Sequence, residues 1–186
     1  MRTIAEIFRS HAVFDDRGRH TNGTDKESNH RYGDAYERLF PNRDTIQLMM
    51  EVGVADGSCL QAWKEVFPNA VCVGMDIHHS DKANGEYIEF HLGDQRIRED
   101  CERAAAGRQF DLIVEDATHH LENTLATLYY LWPSVKPGGM YVVEEWDGAG
   151  GDRHRIPSLW PNAEVVDTVG PFGGIEPLVV FRKLPI

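Results

Sequence analysis

The chain is short of cysteine, of positive charge and of long apolar runs, and each shortage excludes something. Its three cysteines, Cys59, Cys72 and Cys101, are an odd number without C-x-x-C spacing, which argues against both a disulfide framework and a thiolate zinc cluster. They are expected to be reduced and buried. Lysine and arginine number 19 against 30 aspartates and glutamates, a formal net charge of −11. Binding that displaces counterions from nucleic-acid phosphates is therefore disfavoured, and a small-molecule partner is expected instead. No stretch approaches the roughly 20 apolar residues that cross a bilayer, and the opening MRTIAEIFRSHAVFDDRGRH lacks a secretory-type apolar segment. The expectation is a cytoplasmic protein without a membrane partner. At 186 residues, 41% of them hydrophobic, residues 1–186 suit one domain. The sequence is compatible with a homo-oligomer without specifying one.

What the chain does have is an alternation of β-type and helical segments from residue 46 onward. Strands are expected at 46–52, 70–76, 86–92, 110–116 and 139–145, with helices at 57–67, 96–106 and 121–133. This pattern belongs to an α/β fold whose mostly parallel sheet carries helices on both faces. Only about ten residues join the second strand to the third, so that crossover has room for a single helical turn or none. In the tail, AEVVDTV and PLVVFRKL are separated by GPFGGIE, too short for a parallel crossover. An antiparallel C-terminal strand is expected there. Residues 1–45 read as a helix, a polar loop and a second short helix, DAYERLF.

The first strand runs into EVGVADGSC, a glycine turn leading to a helix. A P-loop is excluded because no G-K-[ST] follows, and G-x-G-x-x-G fails because Ala55 and Ser58 take its second and third glycine positions. E-x-G-x-G-x-G, the S-adenosylmethionine pattern, fits Glu51, Gly53 and Gly57, with Ala55 in place of the middle glycine. A carboxylate beside the turn suits a cofactor carrying a sulfonium and an ammonium. Asp76, at the end of the second strand, is placed to accept from ribose hydroxyls, a role that serves NAD equally well. Asp94 and Gln95 follow the third strand on the same carboxyl edge and could reach an adenine, although Asp94 fits a helix cap as well.

VEDATHH and VVEEWD end the fourth and fifth strands on that edge. Carboxylates at adjacent tips suit a hard cation such as Mg²⁺, and His119 and His120 follow Asp116 closely enough for either to remove a proton from a hydroxyl acceptor. A zinc centre has no H-E-x-x-H to rest on.

Four stretches together resemble a known group: class I S-adenosylmethionine-dependent methyltransferases related to macrolide sugar O-methyltransferases, rhamnosyl O-methyltransferases and cephalosporin hydroxylase-like proteins. GTDKESNHRYGDAYERLF is similar to T-D-K…H-x-Y…Y, and EVGVADGSCLQAWKEVFPNAVCVGMDI to E-I-G-V…G-x-S-L-x-x-W…F-P…G-x-D-I. FDLIVEDATHH is similar to D-L-I-I-D-D-G-S-H, and KPGGMYVVEE to K-P-G-G-x-Y-x-I-E-D. The resemblance implies a Rossmann-like class I methyltransferase sheet and O-methyl transfer to a hydroxyl of a sugar or other small metabolite. It implies that residues 1–45 cap the cofactor site, with Thr24, Asp25, Lys26, His30 and Tyr32 closing over it. It also implies Asp116 as a metal ligand, His119 as the catalytic base and Glu145 in the place of a second metal carboxylate. The chain departs from the pattern at Glu115 and Glu145, where the group has aspartate. Trp146, Trp160 and the segment 147–160 are candidates for an acceptor pocket. The rival readings are a protein that binds S-adenosylmethionine without transferring its methyl, and an NAD-dependent oxidoreductase.

Overall fold

A computed structural model of the chain describes residues 1–146, 160, 163–171 and 173–185. Among these, seven strands form one sheet: β3 (Leu48–Val52), β4 (Val71–Asp76), β5 (Ile88–Leu92), β6 (Phe110–Glu115), β7 (Val135–Val143), β8 (Ala163–Val169) and β9 (Ile175–Arg182), in the order β5-β4-β3-β6-β7-β9-β8. β3 through β7 pair in parallel, and β9 runs antiparallel to both β7 and β8. The expected single antiparallel strand is therefore present, lying between two strands that share the direction of the rest. The strand order reverses between β3 and β6. That crevice, beyond the carboxyl ends of the strands, is where open α/β sheets bind ligands.

Strand pleat sorts neighbouring residues to opposite faces. Met49, Cys72, Leu112 and Val142 join the core on one face, whereas Met50, Val73, Ile113 and Val143 join the core on the other. Both faces are buried, which explains the near-continuous apolar runs in the sequence. Helices α1 (Ile4–Ser10), α2 (Gly33–Leu39) and α3 (Ser58–Val66) contribute to the first core, and α4 (Arg98–Ala105) and α5 (Leu121–Leu131) to the second. α1 begins with a capping box, Thr3 accepting from the Glu6 amide while Glu6 accepts from the Thr3 amide. Its Phe8 meets Trp63 edge-on at 4.9 Å, and Tyr36 of α2 does the same from another side at 4.9 Å. The N-terminal helices are thus a packed layer of the core.

Three local expectations need correction. The polar N-terminal loop contains a two-stranded hairpin, β1 (Ala12–Phe14) with β2 (His20–Gly23). Its strands are only three and four residues long, and β2, HTNG, carries no apolar alternation that would reveal it. The fifth strand of the parallel set begins at Val135, not 139, and passes straight through the Pro-Gly pair, because Val135 pairs with Phe110 before a register shift accommodates Gly138 in a left-handed conformation. The third strand begins at Ile88, two residues late, after a helix-free crossover. No helix among the described residues is long and apolar enough to cross a membrane.

Candidate active site

The crevice at the strand reversal opens into a cavity of about 670 Å³. Eight of the residues expected at a site line it: Asp25, Gly53, Asp76, Asp94, Gln95, Asp116, His119 and Glu145. They come from the tips of the five parallel strands β3 to β7 and from the N-terminal segment, brought together by the parallel order of the sheet. Ala55, His119 and Glu145 also line it. These are three of the six non-glycine residues with positive φ among those described, at 46°, 53° and 52°. Such strain persists where surrounding structure over-determines it, typically at sites of function. Ala55 thus keeps the backbone shape of the middle glycine it replaces.

The two glycines of the turn serve the protein itself. A Cβ on Gly53 (φ +88°) would overlap the Asp116 carbonyl, and one on Gly57 (φ +87°) would overlap the Ala83 amide and Ser80. The close approaches they allow are between backbone segments of the chain, and Gly57 lies outside the cavity lining. Asp76 is bound to this turn, its Oδ2 accepting from the amides of Val54 and Ala55 at 3.0 and 2.9 Å. Asp94 is clasped by Arg96, whose Nη2 lies 2.5 Å from its Oδ2. The Gln95 amide points beneath the cavity, donating to Glu115 and Thr127 at 2.9 Å each.

Five other residues expected at the site lie behind the cavity wall: Thr24, Lys26, His30, Tyr32 and Glu51 do not line it. Thr24, Lys26, Tyr32 and Glu51 are each at most 1% exposed. The reason is Lys26. Its ammonium sits 3.0 Å from Glu51, 2.8 Å from Asp116 and 2.5 Å from Glu144, three carboxylates from three strand ends. Tyr36 donates to the other Glu144 oxygen at 2.5 Å, and Trp63 Nε1 donates to Glu51 at 3.0 Å. Glu51 is therefore committed to an internal cation and not to the cavity. Burial opposes the charge on Lys26, but its three carboxylates outweigh that and hold its pKa well above the ordinary value. Burial likewise drives Glu144 well above the usual carboxylate range. His30 stacks on Tyr32 with ring centroids 5.1 Å apart and reaches Asp25 and Glu145, each at 3.3 Å.

Glu144 was missed from the sequence, along with His20, Asp56, Cys59, Ile77, His78 and Arg96 of the cavity lining. A signal for Glu144 existed in strand alternation: of two adjacent glutamates leaving β7, only one can face the cavity. Trp146 and Trp160 pack on Phe181 in the core, with centroids 6.4 and 5.5 Å away. The segment 147–159 proposed with them lies outside the described residues.

Known proteins resemble this chain in sequence and in fold. Demethylmacrocin O-methyltransferase of Streptomyces fradiae is 31% identical over 138 residues, 66% of this chain and 35% of that protein. 8-Demethyl-8-alpha-L-rhamnosyl tetracenomycin-C 2'-O-methyltransferase of Streptomyces olivaceus is 30% identical over 132 residues, again 66% of this chain and 35% of the relative. The chain thus spans about a third of the length of these curated relatives. The MycE methyltransferase of the mycinamycin biosynthetic pathway, solved in complex with Mg, SAH and mycinamycin VI, superposes with a TM-score of 0.73 at 21% identity, covering 99% of this chain and 54% of that one. This chain has the class I methyltransferase fold and is a relative of these O-methyltransferases. No family model matches it.

In this methyltransferase fold the three groups at the β6 and β7 tips form a compact set. Asp116, His119 and Glu145 each present one ligand atom, all within 4.8 Å of one another. His119 Nε2 lies 2.9 Å from Glu145 Oε2 and 4.0 Å from Asp116 Oδ1. Burial alone would lower the imidazole pKa, but the Glu145 hydrogen bond and the Asp116 charge raise it to about 9. His119 is consequently protonated at neutral pH while Glu145 is its partner. Replacing Glu145 with glutamine should move the His119 titration from about 9 back toward 6.5, as followed by NMR of the imidazole carbons. A titration still centred near 9 would assign the shift to another group.

Proposed function

We propose that the chain carries S-adenosylmethionine-dependent O-methyl transfer to a hydroxyl of a sugar or other small metabolite, assisted by Mg²⁺. The observation that supports this most is the single cavity at the strand reversal, which joins the glycine turn and Asp76 to Asp116, His119 and Glu145. S-adenosylmethionine would supply the methyl group as an electrophilic sulfonium and leave as S-adenosylhomocysteine. The Gly53 turn, Asp76 and Asp94 line the part of the cavity suited to its nucleoside. The oxygen donors Asp116 and Glu145 fit a hard divalent cation, which would supply positive charge that acidifies an acceptor hydroxyl. The proton of that hydroxyl passes to His119 as the oxygen–methyl bond forms and the sulfur–methyl bond breaks. His119 can accept it only when Glu145 and Asp116 are engaged elsewhere, since these two carboxylates are what keep the imidazole protonated. His119 and Asp116 orient the acceptor oxygen in line with the methyl, which is where most of the rate gain of such a transfer resides.

Thermal unfolding with S-adenosylmethionine, S-adenosylhomocysteine or NAD tests the reading. Ligand at 100 times its Kd stabilises by roughly 2.7 kcal/mol, on the order of 5 to 10 °C for a chain of this size. Shifts with both sulfur nucleotides and none with NAD are expected. A shift with NAD alone, or none at saturation, refutes the proposal. Binding without S-adenosylhomocysteine production across a panel of hydroxylated acceptors would favour a cofactor-binding protein instead.

A further inference from the structure

We propose that Lys26 is a positioning residue that assigns the carboxylates at the strand tips, withdrawing Glu144 from cation binding and leaving Asp116 and Glu145 to hold the divalent ion. The inference rests on the metal-assisted reading above and specifies which side chains form that site. Four carboxylates lie at the β6 and β7 tips: Glu115, buried and held by Gln95 at 2.9 Å, and Asp116, Glu144 and Glu145, any of which suits Mg²⁺ by type. Their surroundings separate them. Both oxygens of Glu144 are committed, Oε2 to the Lys26 ammonium and Oε1 to the Tyr36 hydroxyl, each at 2.5 Å. The residue is 1% exposed and absent from the cavity lining. Glu145, by contrast, is 30% exposed at its side chain and turned toward His119.

Asp116 is divided between the two environments. Its Oδ2 accepts from Lys26 at 2.8 Å, while Oδ1 is the oxygen nearer His119, at 4.0 Å. One ammonium therefore fixes the rotation of the Asp116 carboxylate so that a single oxygen remains for a ligand in the cavity. Lys26 is held in turn by Glu51 at 3.0 Å and lies 5.8 Å from the Trp63 ring centroid. It is fully buried and has no route by which to yield its place without opening the N-terminal layer. A third carboxylate, from Glu144, would bring excess negative charge to a site that must also admit an acceptor oxygen and a proton acceptor. Lys26 prevents this by occupying the position between Glu144 and Asp116.

Mn²⁺ titrations followed by electron paramagnetic resonance distinguish the carboxylates directly and need no acceptor. Glu144→Gln is nearly isosteric and retains an oxygen for Lys26, so its Mn²⁺ Kd should stay within about twofold of the parent protein's. Glu145→Gln should weaken binding at least tenfold. Lys26→Met, where it folds, should tighten Mn²⁺ about tenfold by releasing Glu144 and the second Asp116 oxygen, and adding Glu144→Gln should cancel that gain. A purely structural lysine would instead leave Mn²⁺ binding unchanged or weaker and insensitive to Glu144. Equal losses in Glu144→Gln and Glu145→Gln would overturn the assignment while leaving metal binding intact. No Mn²⁺ binding by the parent protein would remove the metal from the proposed function, and this inference with it, whatever the cofactor shifts show.

Discussion

Lys26→Met should cost about 3 to 5 kcal/mol of stability, the usual consequence of removing one partner from a buried ionic group. The methionine fills a similar volume, so loss of packing contributes little. The cost comes from Glu51, Asp116 and Glu144, which lie within 3.0 Å of the ammonium and would be left facing one another. Burial already pushes Glu51 and Glu144 up toward their neutral forms, so the variant should relieve itself by taking up protons. Its deficit should shrink as pH is lowered from 8 to 5, and adding Glu144→Gln should restore part of it. Urea denaturation across that pH range measures both effects. A loss below about 1 kcal/mol at pH 8 would mean that the cluster is hydrated and the lysine dispensable.

Gly53→Ala should be comparably damaging in the absence of any ligand, at about 2 to 6 kcal/mol. Roughly 1 to 3 kcal/mol comes from holding a non-glycine residue at strained positive φ, here +88°, and a similar amount from forcing atoms into filled space. The obstruction is backbone: the new methyl overlaps the Asp116 carbonyl, and the chain just before it is tied to β3, the Asp116 amide donating to the Val52 carbonyl at 2.8 Å. Neither side can yield without parting β3 from β6. Chemical denaturation of the ligand-free protein tests this. A variant of parent stability that merely fails to bind S-adenosylhomocysteine would show that the glycine serves the ligand alone.

These two residues also mark what could be read from the sequence. The glycine turn was legible because it interrupts two strong periodicities, a strand before it and a helix after. Its purpose was not, since the residues that crowd Gly53 and Gly57 lie 23 to 64 positions away and leave no local pattern. Asp116, His119 and Glu145 were legible as residues just beyond parallel strands, because a parallel sheet places every such tip on one edge. Lys26 was visible as part of a motif but not as a buried ion. A lysine within GTDKESN looks solvated, and nothing near it in the chain announces the carboxylates that it meets. The hairpin at 12–23 escaped for a related reason: its strands are three and four residues long and lie outside the main sheet.

The Lys26 contacts have a consequence for how the molecule comes into being. They reach 90 residues along the chain to Asp116 and 118 to Glu144, so the entropy of closing these loops is met before the contacts can form. On the ribosome, where segments emerge at about 5 to 20 residues per second, the first helix soon meets Tyr36 and Trp63, but the Lys26 cluster stays incomplete until Glu144 follows β7. The N-terminal layer should be a late piece of the fold to lock. Cys59 and Cys72, buried in the core that this layer covers, would record the moment by ceasing to react.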